Sequence, residues 1–131
     1  MLDRRYFLAA AALGAAVALS PLAAAMTPQA YSQKAFAAAQ AAGKPILLHI
    51  TAPWCPTCKA QKPILSKLEA EPKFKGLVAF DIDFDTSKAL LRKLHVAQQS
   101  TLIVYKGKKE LGRSTGDTDP SSIEALLAKA I

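Results

Sequence analysis

Ile46-Leu47-Leu48-His49-Ile50 is a continuous apolar run broken by a single histidine. A run of that kind and length suits a strand covered on both faces, so the fold must supply helices on either side of it. The flanking sequence supplies them. Thr27-Pro28 reads as an N-cap followed by a first-turn proline, opening a helix that Gly43 ends. After the apolar run, a helix is expected from about Pro56 to Glu71, interrupted by Pro63 and stopped by Pro72. Leu77–Asp83 reads as a second strand, and Ser87–His95 as a short helix with Leu90, Leu91 and Leu94 inward. Thr101–Tyr105 and Glu110–Ser114 form a hairpin across the Gly107 turn. Asp119-Pro120 caps a last helix, whose Ile123, Leu126, Leu127, Ala130 and Ile131 fall on one face. The order αβαβαββα predicts an α/β domain, with a mixed central sheet of about four strands flanked by helices.

The beginning of the chain has a different character. Arg4-Arg5 precedes Tyr6-Phe7-Leu8 and an Ala-rich apolar stretch, Ser20-Pro21 breaks it, and Ala23-Ala24-Ala25 offers small residues for cleavage. Residues 1–25 therefore read as a secretory signal peptide, twin-arginine-like, leaving 26–131 as one domain. The general secretory route and an uncleaved N-terminal anchor are the competing readings. The apolar part is shorter than the ~20 residues a membrane-spanning helix needs. Export implies a periplasmic location. The net charge of +7, from 17 Lys+Arg against 10 Asp+Glu, is scattered over predicted helix faces and the Lys106-Gly107-Lys108-Lys109 turn. With no aromatic interleaving, it reads as a solvated surface and not a nucleic-acid groove.

The chemistry is expected at Trp54-Cys55-Pro56-Thr57-Cys58, which holds the only two cysteines. They lie three apart, directly after a strand and at the start of a helix. With Cys55 at the N-cap, Cys58 falls on the same helix face, close enough for a disulfide. Free N–H groups and the positive end of the helix dipole then point at the Cys55 sulfur and favour its thiolate, the attacking species. Cys58, deeper, would resolve a mixed disulfide by attacking Cys55. Competing readings are a structural disulfide, a zinc site and inert core cysteines. Zinc lacks ligands, because His49 and His95 are the only histidines and have no finger-like spacing.

Ala52-Pro53-Trp54-Cys55-Pro56-Thr57-Cys58-Lys59 after a strand, with Pro63 five residues beyond the second cysteine, resembles the thioredoxin-like family. The Asp81-Ile82-Asp83 strand end and the Gly107, Glu110-Leu111 and Gly116 hairpin match as well, and the likeness covers most of residues 28–131. Lys44-Pro45-Ile46-Leu47-Leu48 looks like the corresponding run of exported thiol reductases. The resemblance implies a thioredoxin-like fold without an obvious first strand. It also implies a thiol–disulfide oxidoreductase exchanging electrons with protein thiols or disulfides through a redox-active Cys55–Cys58 pair. No organic cofactor is implied, since the dithiol carries the electrons. The expected partners are a protein substrate and a membrane-bound redox protein, with the chain itself a monomer.

Two departures stand out. Family members usually place a buried Asp six residues before the first cysteine, where this chain has His49, and the Lys often paired with it corresponds to Ala79. A histidine titrates near neutrality, so His49 is a candidate proton acceptor; the alternative is a core histidine bonded to a carbonyl. The family's cis-proline corresponds to Ser100, so the preceding bond is expected to be trans. That change alters how Gln99 would meet a substrate strand and puts a hydroxyl near the sulfurs. Restoring proline there is expected to rebuild the family's docking edge. Trp54, Pro56, Thr57, Gln99 and Ser100 are the candidate substrate-shaping residues. Loss of the proline also raises an alternative function, a metal-binding or metal-delivery module for copper or an iron–sulfur cluster.

Overall fold

The computed structural model describes residues 27–131; the signal-peptide segment lies outside the described residues. Within them, ten short elements follow one another: β1 (Gln29–Ala30), α1 (Gln33–Ala41), β2 (Pro45–Thr51), α2 (Pro56–Glu69), a 3-10 turn (Pro72–Phe74), β3 (Val78–Asp83), α3 (Lys88–Lys93), β4 (Thr101–Lys106), β5 (Lys109–Thr115) and α4 (Pro120–Ala128). The strands form one mixed sheet in the order β1-β3-β2-β4-β5. β1, β3 and β2 run parallel, while β4 and β5 are antiparallel to their neighbours.

β2 is central and buried along nearly its whole length, as the apolar run predicts. Its side chains alternate between two cores. Ile46, Leu48 and Ile50 join Phe36, Phe80, Ile82, Leu91, Ile103 and Tyr105 on the side of α1 and α3. Leu47 joins Leu65, Leu68, Leu102, Val104, Ile123 and Leu127 on the side of α2 and α4. His49 follows Leu47 by two and therefore faces α2. That placement decides its chemistry.

The first helix begins later than the Thr27-Pro28 signal suggests. Ser32 is its N-cap, accepting the Ala35 N–H at 3.0 Å, and the segment ahead of it is the strand β1. Two residues are too few to show alternation, so composition alone leaves no strand signal there. β1 pairs with Phe80 and Asp81 on β3, making the fifth strand of the sheet. α2 runs through Pro63 without ending, although the proline removes one backbone donor. Gly43, with φ of 67°, lets the chain leave α1 in a left-handed conformation and enter β2.

Candidate functional site

Cys55 is the N-cap of α2, with extended backbone angles, and Pro56 is the first helical residue. Its sulfur takes the part a serine or aspartate oxygen plays at other caps, accepting the Cys58 N–H at 3.1 Å. Cys55 and Cys58 are disulfide-bonded, their Cα atoms 5.3 Å apart. Both are fully buried, with Ala52 and the edge of Phe84 around them. Exposure therefore does not distinguish the two sulfurs; position on the helix does. Trp54 beside them is 55% exposed. Its indole N–H donates to the Asp85 carboxylate at 2.8 Å and its ring meets Phe84 edge-on. Pro56 and Thr57 complete the first turn of α2.

A buried polar group joins β2 to α2 one turn beyond Cys58. The His49 ring has Nε2 3.0 Å from Gln61 Oε1 and Nδ1 3.5 Å from Asp81 Oδ1. Gln61 is one turn beyond Cys58 on the buried face of α2. Its amide nitrogen donates to the carbonyls of Ser100 at 3.1 Å and Asp117 at 2.9 Å. His49 is thus a buried histidine bonded to a carbonyl oxygen, that of the Gln61 side chain, as the core-histidine alternative has it, and it faces a carboxylate as well. Asp81 sits directly opposite His49 in the β2–β3 register, whereas Ala79 lies opposite Leu47.

Two further carboxyl groups lie on the same elements, α2 and β3. Glu69, on α2, is buried with neither carboxylate oxygen partnered among the described residues. Burial, with the nearby Asp81 charge adding to it, pushes its carboxyl up to about 7. Asp83, at the end of β3, accepts from the Thr86 and Asp85 N–H groups and the Thr86 hydroxyl. Those bonds hold its carboxyl below the usual range.

Ser100 is buried in the loop before β4, and no cis peptide bond occurs among the described residues. Its preceding bond is trans, and its φ of 57° lies in the left-handed region. The hydroxyl donates to the Gln99 carbonyl at 2.6 Å, so it is committed to the backbone and does not serve the sulfurs. The Ser100 N–H donates to Ile50 O at 2.7 Å, tying the loop to β2. Among the described residues no three His, Cys, Asp or Glu side chains come together as metal ligands, and the metal-delivery alternative gains no support.

Sequence reasoning placed Cys55, Cys58, Trp54, His49 and Ser100 in or beside one region. It missed Gln61 and Asp81 as neighbours of His49, and Glu69 as a buried carboxyl near Asp81. The signal was present: Gln61 and Glu69 interrupt the buried face of α2, whose other members are apolar.

Comparison with known proteins agrees with this geometry. The family model described as Thioredoxin matches residues 27–129. The thioredoxin of Chlamydia trachomatis is 35% identical over 101 residues, covering 77% of this chain and 96% of that one. That of Chlamydia muridarum is 36% identical over the same span. Among solved structures, Trxlp from Edwardsiella tarda EIB202 superposes with a TM-score of 0.75 at 44% identity, over 77% of this chain and 98% of that one. With a buried cysteine pair capping a helix after a central strand, this chain belongs to the thioredoxin family and is a thiol–disulfide oxidoreductase.

Proposed function

We propose that the chain is an exported thioredoxin that works in the periplasm as a monomer, with residues 1–25 directing its export. It exchanges electrons between a protein substrate and a membrane-bound redox partner. Cys55 attacks the substrate disulfide, Cys58 resolves the resulting mixed disulfide, and His49 takes up the proton that Cys58 releases. Trp54, Pro56, Thr57, Gln99 and Ser100 shape the surface that meets the substrate. The observation that carries this reading is the Cys58 N–H directed at the Cys55 sulfur. At a helix N-terminus it favours negative charge on Cys55 and so makes Cys55 the better nucleophile.

The test is alkylation of the reduced protein at slightly acidic pH, with the labelled cysteine identified by peptide mapping. Cys55 is expected to label well before Cys58, and faster labelling of Cys58 would reverse the roles. Equilibration against dithiothreitol or glutathione then sets the direction of electron flow. A potential near about −270 mV marks a reductant and one near −120 mV an oxidant. Export is checked by replacing Arg4 and Arg5 with Lys in cells. Loss of the mature protein from the periplasm supports the twin-arginine route, and unaltered export assigns the chain to the general one.

A further inference from the structure

The buried amide at Gln61 settles which nitrogen of His49 carries the proton. Gln61 Nε2 lies 3.1 Å from the Ser100 carbonyl and 2.9 Å from the Asp117 carbonyl. Both are main-chain oxygens that can only accept, so both amide hydrogens are used and the amide cannot be turned over. Oε1, which can also only accept, is left facing His49 Nε2 at 3.0 Å. A bond forms there only if Nε2 carries the hydrogen. In the neutral ring Nδ1 is then a bare lone pair, 3.5 Å from Asp81 Oδ1. Lone pair and carboxylate oppose each other until a proton comes between them.

We infer that Gln61 locks His49 as the Nε2–H tautomer, so that the ring gains and loses its second proton only at Nδ1, opposite Asp81. Gln61 and Asp81 are positioning residues in this scheme, because both act through His49. Asp81 is the member that reaches water. Its side chain is 38% exposed, and it lines an open cleft of about 420 Å³ with Tyr31, Thr51, Asp83 and Ser87. The charged groups bearing on the pair come from three elements: His49 on β2, Asp81 on β3 and Glu69 on α2, whose carboxyl interacts electrostatically with Asp81. Gln61, also on α2, is neutral.

The consequence for thiol exchange rests on the reading proposed above. When Cys58 loses its proton, its sulfur attacks the Cys55 sulfur. The bond from Cys55 to the substrate sulfur breaks, and the substrate departs as a thiolate reduced by two electrons overall. Nε2 already carries a hydrogen, so the proton from Cys58 cannot be stored there. A proton from Cys58 that reaches the ring can be held only at Nδ1, against Asp81, which opens on the cleft.

Nitrogen NMR of the oxidised protein with labelled histidines reads the tautomer directly, with exposed His95 as the internal reference. At a pH where both rings are neutral, His49 is expected as Nε2–H, and a proton on Nδ1 would overturn the inference. In Gln61→Leu, similar in bulk but without the acceptor, the proton should move to Nδ1 and bond Asp81. An unchanged tautomer in that variant refutes the lock. Asp81→Asn keeps Gln61 and hence the tautomer, and provides the arm that does not disturb α2. Decay of its mixed disulfide with a protein substrate should slow by about 10²-fold at neutral pH. The deficit should vanish at high pH, where hydroxide removes the Cys58 proton. Undiminished decay in Asp81→Asn refutes the route through Asp81. If the parent itself reduces no protein disulfide, the function proposed above fails while the tautomer result stands.

Discussion

Ser100 fixes the loop before β4 in a conformation that few side chains adopt. An L-residue with φ near +57° carries a penalty of about 1 kcal/mol, which glycine escapes. Its N–H also donates to Ile50 O. Proline can meet neither condition, because its ring holds φ near −65° and it has no donor. Proline therefore does not fit the path that the loop takes here. Ser100→Pro should lower stability by about 3 kcal/mol or more, whereas Ser100→Gly should be neutral or raise it by up to about 1 kcal/mol. Chemical denaturation of the two variants checks both. A proline variant as stable as the parent would mean that the loop readily adopts another path.

At the scale of an element, α2 carries two burdens on one face. It presents Cys58 and Gln61 to the site and, two turns on, buries Glu69 without a partner. The folded protein binds the Glu69 proton more tightly than the unfolded chain does, because burial raises the carboxyl from 4.5 to about 7. The stability tied to that proton is complete below about pH 4.5. It declines as pH rises and is gone above about 7. Glu69→Gln removes the ionisation while keeping shape. It should match the parent near pH 4 and exceed its stability above pH 7 by about 1–3 kcal/mol. Parallel curves for the two proteins across that range would show that Glu69 is not ionising in a buried place. The same charge acts on Asp81, so the variant bears on the proton route described above as well as on stability.

Across the whole molecule, what was legible followed from periodicity and from residues with fixed local preferences. The apolar run at Ile46–Ile50 became the central strand β2, Asp119-Pro120 became the cap and first turn of α4, and the cysteines became the cap of α2. β1 was illegible because its two residues are too short to set a pattern and are specified by pairing with β3. Gln61 stood out as a polar residue on the buried face of α2, but that it meets His49 was not legible. Gln61 and Asp81 lie 12 and 32 positions away along the chain, and only the packing of α2 and β3 around β2 brings them together. Trp54, the one tryptophan of the chain, adjoins the disulfide in sequence and is held to Asp85 through its indole N–H. A disulfide quenches a nearby excited indole by accepting an electron, and a dithiol does so far less. The molecule is thus expected to carry its own optical gauge: reduction should brighten its emission, and Asp85→Ala, by removing the acceptor that holds the ring, should diminish that change without altering the cysteines.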